Sequence, residues 1–476
     1  MSEEGKTAGD MKSAIHREEI GGAIEGSPST LLAIFVASAK QEIVTSEIAN
    51  KLKELFLDYL GVSASAAFRA DSSDKFLSAI ENFAGSTAGK CTVLTKGSKF
   101  LPQYAALLNG AWCHTYDFDD THAGAVLHPG SSVISAALAQ AEALHSTGPE
   151  FLLAIAVGYE VACRLGNALG LGGYPRGFHN TGTAGLYGAI AAVCKLRKSS
   201  QEIVEDAFGL AVSKAAGSMQ FLENGAWNKR LHPGFAAHDA LLCVTLASSG
   251  VIGATKPIEG RYGLLHSYSE SSDGSRLLDR LGRDWIFLET ACKPFPACRM
   301  THGQIEMAAK LRKVYESHGM PEQISVSLPR SCFPVVGTPA ANKINPRCIV
   351  DAQFSSYFQT AAVWIYGDEL GWDVYNKIHD SAVQELCGRI DCHIEDSYVA
   401  LESKLKVMFK DGLVVEEEII FPVGEKERPF DWQRGVRRKF MGLSEPVYGT
   451  EKSEEVCKLV DSLESTNVAS LMMLVK

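Results

Sequence analysis

The run FLLAIAVGYEVACRLGNAL, from Phe151 to Leu169, and the run TAGLYGAIAAVCKL, from Thr183 to Leu196, decide the fold class. Both are long enough for several helical turns, largely apolar all round, and rich in Ala and Gly. Helices of that kind are buried among other helices. Working outward, further helices fit Ser131 to His145, Glu202 to Ala216 and Ala236 to Ser249. From Ser46 to Leu60 the apolar residues Ile48, Leu52, Leu55, Phe56, Tyr59 and Leu60 recur at helical spacing, with Ser46 as the N-cap. The joining segments Asp117–Gly130, Gly172–Gly182 and Glu223–Gly234 are longer, and they carry His122, His128, His179 and His232.

Past Arg276 the pattern changes. Gln323 to Leu328 and Ile390 to Ile394 alternate as strands do, and Leu405–Phe409 and Leu413–Ile420 flank Lys410-Asp411-Gly412, a hairpin with an Asp-Gly turn. Asp351 to Tyr366 reads as a helix, and after Pro422 the chain is charged, then helical to Lys476. The expectation is a mainly α protein with a smaller α+β lid. Residues 1–27 form a disordered leader, 28–275 with 423–476 the large helical domain, and 276–422 the lid.

A chain of 476 residues is too long for one compact core, which agrees with this division. The formal charge of −10 argues against an electrostatic nucleic-acid binder. Uninterrupted apolar stretches such as Phe151–Gly158 are too short to span a bilayer, so no membrane partner is expected. The polar start up to Ser27 lacks the form of a signal peptide. Twelve cysteines without a CxxC pair argue against a zinc module and for buried thiols in a reducing compartment. The expected location is cytoplasmic, with mitochondrial left open.

Four constellations could carry chemistry. Asp117-Phe118-Asp119-Asp120-Thr121-His122, followed by Leu127-His128-Pro129-Gly130, gathers acid and base groups between two apolar helices, as an active-site loop would. A helix cap with a solvated loop is the plainer alternative, and without a compact His pair no metal is expected. Arg176-Gly177-Phe178-His179-Asn180-Thr181-Gly182 precedes a helix whose first amides could bind an anion, with Thr181 as cap. Trp227-Asn228-Lys229-Arg230-Leu231-His232-Pro233-Gly234 is either a carboxylate clamp or an exposed basic turn. In Lys293-Pro294-Phe295-Pro296-Ala297-Cys298-Arg299-Met300-Thr301-His302 two prolines fix the approach to a helix, holding Cys298, Arg299 and His302 in set directions; a capped helix start with a buried thiol is the alternative. GxGxxG, Walker, HExxH and GxSxG patterns are absent, which leaves reactions that need only acid–base groups and carboxylate anchors.

Taken in this order, and with Leu57-Asp58-Tyr59-Leu60-Gly61-Val62, Glu259-Gly260-Arg261-Tyr262-Gly263 and Asp351-Ala352-Gln353-Phe354-Ser355, the motifs resemble the MmgE/PrpD family from about Ile48 to Val475. The resemblance implies the two-domain fold of that family, a homodimer, and a cleft between domains that works without metal or organic cofactor. It implies a lyase for a small di- or tricarboxylate, first a cis-aconitate decarboxylase type. A 2-methylcitrate or alkylcitrate dehydratase, a carboxylate epimerase and a non-catalytic binding protein are the alternatives. Residue by residue it puts Asp117, Thr121, His128, His179 and Lys229 in the pocket, and Cys298 where another pocket histidine of the family stands. Lys229, His179 and Arg299 are the expected carboxylate anchors, and His232, Cys298 and His302 further substrate-binding candidates. His128, oriented by Asp117 or Thr121, is the expected proton donor, with a pKa at or above about 6.5 because carboxylates surround it.

Overall fold

The computed structural model describes residues 26–85, 89–270 and 274–476. The expected leader lies outside these residues except for Gly26 and Ser27, and the Ser27 hydroxyl caps the first helix. The helical part runs through α1 (Pro28–Ser38), α2 (Ser46–Arg69), α3 (Ser73–Ala84), α4 (Pro102–Thr115), α5 (Pro129–Leu144), α6 (Gly148–Leu169), α7 (Asn180–Leu196), α8 (Gln201–Ala211) and α9 (Asn228–Ser248). A short hairpin, β1 (Cys91–Thr92) with β2 (Lys99–Phe100), precedes α4.

The two runs that decide the class are α6 and α7, packed against each other. A Cβ placed on Gly158 would strike the Gly188 carbonyl, and one on Gly188 the Gly158 carbonyl, so glycine is what allows the backbones to touch. Thr147 and Glu150 open α6 with a reciprocal capping box. This helix is long and apolar enough to cross a membrane by length and composition, yet 89% of its most apolar window is buried inside the protein. Glu160 and Arg164, its two buried charges, pair internally at 2.6 Å.

Three boundaries differ from the sequence reading. Thr45, not Ser46, caps α2. The helix expected to reach Ala216 ends at Ala211, because the chain there turns extended and pairs with Phe178 and His179. The basic segment expected ahead of a helix at Ala236 is itself the start of α9, with Pro233 inside it. Pro233 is the sixth residue of α9, past the first turn, so it withholds an N–H that the Lys229 carbonyl would otherwise accept.

The second part is a four-stranded sheet in the order β4 (Ile390–Ile394), β3 (Pro321–Leu328), β5 (Ser403–Phe409), β6 (Val414–Ile419). Strand β3 runs parallel to β4 and antiparallel to β5, and β5–β6 is the Asp-Gly hairpin, with Gly412 at φ 87°. The alternation read from sequence turns Ile324, Val326, Leu328, Leu405, Val407 and Phe409 inward, toward the helices His302–Val314 and Ser356–Tyr366. The helix expected over Asp351–Tyr366 breaks after Gln353, and Ser355 caps the second piece.

Two apolar cores result. One joins residues from Leu32 to Cys292 with Val436–Val475; the other joins Phe221 with residues from Ala297 to Phe409. Leu277, Phe287 and Cys292, which the sequence reading places in the lid, pack in the helical core, so the change of core falls between Cys292 and Ala297. The C-terminal helix Arg438–Tyr448 returns to α2, where Phe440 sits against Gly61. From that helix Lys439 pairs with the buried Asp58 at 2.7 Å and donates to the Phe118 carbonyl, bracing the loop that follows α4.

Candidate functional site

A cavity of about 350 Å³ opens where the two cores meet. Asp117, Thr121, His128, His179 and Lys229 line it from the helical side, Cys298 and Arg299 from the junction, and Phe354 and Val335 from the α+β side. Towards the mouth the lining is Leu171, Met219, Met300 and Leu401, so a charged floor sits under largely apolar walls.

The floor is organised by Asp117, the first residue past α4 and its cap. It is 2% exposed and adopts φ 50°, a left-handed conformation that aspartate tolerates better than most residues and that tends to be kept at functional sites. Its Oδ1 accepts from Lys229 Nζ and from Lys293 Nζ, each at 2.9 Å. Lys293 also donates to the Asp117 carbonyl at 2.8 Å and to that of Ala297 at 3.1 Å. Burial alone would raise the Asp117 pKa; Lys229, Lys293 and the neighbouring imidazoles overcome it and hold the group well below the usual carboxylate range.

His128 ends this loop at the start of α5. Gly130 follows because a Cβ there would collide with Tyr159 and Asp120. His128 Nδ1 lies 3.2 Å from Asp119 Oδ1, and Nε2 lies 3.5 Å from Asp117 Oδ1. Asp119 also takes a hydrogen bond from His114 Nδ1 at 2.7 Å, and Lys229 donates to His114 Nε2 at 2.9 Å, which fixes that ring as the neutral Nδ1–H tautomer. Burial pulls the His114 pKa down to about 3. His128 is lowered as well, by burial first, with Lys293 and Lys229 adding to it against the pull of Asp119. This corrects the expectation of a value at or above 6.5: desolvation and two ammonium groups outweigh the carboxylates. His179 is driven well below its ordinary value by burial and Lys229.

Of the two carboxylates beside His128, Asp119 is the nearer, in an ion-pair contact rather than a hydrogen bond. The Thr121 main chain is tied both ways to Ala291, and its buried hydroxyl has no hydrogen-bond partner among the described residues. That hydroxyl and the second oxygen of Asp117 are unpartnered polar atoms on residues that line the cavity. Thr181 does not cap α7; its hydroxyl accepts from the His128 main-chain N–H at 3.0 Å and contacts His179 Nε2 at 3.1 Å.

Two candidates lie outside the cavity. His302 is fully buried; its Nδ1 accepts from Arg299 and its Nε2–H points to the Ala297 carbonyl. His232 stands behind His179, with the two Nδ1 atoms 3.2 Å apart. Arg299 does line the cavity, but Glu425 holds its guanidinium at 2.6 and 2.8 Å, so it brings little free charge. Arg276, exposed at the mouth, has no ion-pair partner among the described residues.

Sequence reasoning misses His114, and it quotes Asp119 and Lys293 in its motifs without assigning either a role. The spacing His114-x-x-Asp117-x-Asp119, on the last turn of α4 and the loop beyond, was the available signal. The motif from Asp351 serves the site indirectly. Gln353 donates to the Thr115 carbonyl and accepts from the Cys298 N–H, and Phe354 lies 5.4 Å from Lys229 Nζ as a cation–π partner.

Ligand atoms of His114, Asp117, Asp119 and His128, or of His114, His128 and His179, lie within 4.8 Å of one another, a spacing that could hold a cation. However, Lys229 and Lys293 already place two ammonium groups on the Asp117 oxygen of the first set, and Lys229 donates to His114, which belongs to both. A donor set so occupied suits an anion arriving beside the lysines better than a divalent cation among them. The two lysines balance the two aspartates, and Arg299 balances Glu425.

Models of two domains match the chain: the MmgE/PrpD N-terminal domain over residues 30–276 and the MmgE/PrpD C-terminal domain over 295–465. Among curated proteins, the chain is 27% identical to the cis-aconitate decarboxylase-like protein oryM of Aspergillus oryzae, over 95% of this chain and 98% of that one. It is 27% identical to a cis-aconitate decarboxylase of Aspergillus terreus, covering 90% and 92%. With the human cis-aconitate decarboxylase it shares 26% identity over 90% of each chain.

Proposed function

Because the chain belongs to the MmgE/PrpD family, we propose that it is a lyase that removes one carboxylate, as CO2, from a small tricarboxylate of the cis-aconitate type. The observation that carries this reading is the floor of the cavity. Two imidazoles face it with pKa values held low, beside two ammonium groups clamped on one aspartate. The similarity to cis-aconitate decarboxylases over nine-tenths of the chain supports the same reaction type.

In this reading Lys229 and the free Thr121 hydroxyl anchor substrate carboxylates on the floor, and Arg276 attracts them at the mouth. Binding of the anion raises the pKa of His128, which takes up a proton. The carbon–carbon bond to one carboxylate breaks, its electron pair shifts with the double bond, and CO2 leaves. His128, beside Asp119, delivers its proton to the carbon left electron-rich. Asp117 stays ionised and holds Lys229 in place.

The test is incubation of purified protein with cis-aconitate, citrate and 2-methylcitrate, with and without chelator, followed by NMR. Itaconate formed from cis-aconitate in the presence of chelator, and lost in His128→Ala, is the expected result. Alkenes formed from the hydroxy acids would replace the proposal with a dehydratase. Silence on all three substrates would end the tricarboxylate reading.

A further inference from the structure

Decarboxylation consumes one proton per turnover, because the hydrogen placed on carbon leaves with the product. A substrate filling the cavity stands between the floor and the mouth, so the floor needs another supply. On its far side, the protein has a second cleft, lined among others by His232, Gly182, Gly217, Ser218 and Asn228. It shares no lining residue with the first cavity.

Two rings in contact connect the clefts. His179, at the N-cap of α7, lines the cavity; His232, in the first turns of α9, lines the second cleft. Their Nδ1 atoms are 3.2 Å apart. Two bare nitrogens that close would repel, so one ring must donate to the other. At the inner end, His179 Nε2 meets the Thr181 hydroxyl at 3.1 Å, a group able to donate or accept, so either direction of the chain is satisfied. Gly217 lies over the junction, and its carbonyl accepts the His179 N–H at 2.9 Å.

We propose that His179 and His232 form a proton path from the second cleft to the floor of the cavity, with His232 acting through His179. The inference rests on the decarboxylation reading for its purpose but not for its geometry. A proton enters at His232 Nε2, the Nδ1 proton of His232 moves to His179 Nδ1, and the Nε2 proton of His179 passes to the floor. Both rings end neutral with their tautomers exchanged, so each must return to its starting tautomer before the next proton passes. From the floor one water restores His128, whose ring centroid is 6.2 Å from that of His179.

Two measurements on the full chain test this. The first needs no substrate: nitrogen-15 spectra of histidine-labelled wild-type protein should show complementary states, one Nδ1 protonated and the other bare in this pair. Two bare or two protonated Nδ1 atoms would overturn the path whatever the reaction proves to be. The second uses His232→Asn, whose amide nitrogen retains the contact with His179 but cannot relay a proton. With cis-aconitate its kcat should fall about tenfold with KM unchanged, and imidazole in the buffer should restore it, which a packing defect would not allow. A kcat equal to wild type, or a loss that imidazole leaves untouched, would sink the proposal. Absence of wild-type turnover on any tricarboxylate would instead remove the decarboxylase reading and leave the spectra to decide the path.

Discussion

The protein contains two buried clusters of like composition. In one, Asp117 and Asp119 meet Lys229, Lys293, His114 and His128; in the other, Glu425 meets Arg299 and His302. Each joins carboxylate, cation and imidazole, and each lies near the junction of the cores. They differ in what is left over. In the second, Arg299 bonds Glu425 and His302, and His302 spends its remaining N–H on the Ala297 carbonyl. In the first, an oxygen of Asp117 and the nearby Thr121 hydroxyl have no partner among the described residues, and both residues line a cavity. A brace uses up its hydrogen bonds; a site keeps some in reserve for a ligand.

The comparison can be broken most decisively at His128. His128→Ala should lower kcat by about 100- to 10,000-fold, the usual worth of a general acid, while thermal unfolding stays close to that of the parent. Equal losses of stability and rate would make the first cluster a brace as well. The converse change is Glu425→Gln, which leaves the Arg299 charge buried and poorly paired. Stability should fall by about 3–5 kcal/mol in denaturant titration, with turnover per folded molecule largely kept. A stable variant with no turnover would move the chemistry to the Arg299 cluster.

The pH profile sharpens the contrast further. The His128 pKa lies below its ordinary 6.5, so above that pH the protonated form shrinks about tenfold per unit. The kcat/KM for cis-aconitate should fall with a slope near −1 between about pH 7 and pH 8; a flat profile would point to a proton donor other than His128. The smallest effect belongs to Thr121→Val. Losing a buried hydroxyl that nothing satisfies should leave the protein at least as stable, whereas KM rises by about tenfold if that hydroxyl receives a substrate carboxylate. An unchanged KM would remove Thr121 from the anchors.

Most of the fold is legible in the sequence because its signals are local. The apolar runs become α6 and α7, the alternation around Ile324 and Leu405 becomes β3 and β5, and Asp411-Gly412 becomes the hairpin turn. What fails to show is what depends on distant partners. The start of α9 is hidden by Pro233, and the last turn expected of α8 is lost to pairing with Phe178. In the site, Asp117, Thr121, His128, His179 and Lys229 come together around one cavity. Yet His232 and His302 read no differently from His128 until the neighbours of each ring are known. Lys293 stands beside two prolines in a quoted motif, but its bond to Asp117 crosses much of the chain.

One detail of that lysine bears on how the cleft can move. Lys293 lies between the two cores and holds Asp117 on one side and the Ala297 carbonyl on the other, while the two-way link of Thr121 with Ala291 ties the same loop down nearby. These ties fasten the floor to the segment between the two cores. Rocking of the α+β part against the helices would widen the mouth, at Leu401 and Leu171, while Asp117, Lys229 and His128 stay in register. Substrate could then be admitted and product released without the reacting groups being reassembled at each cycle.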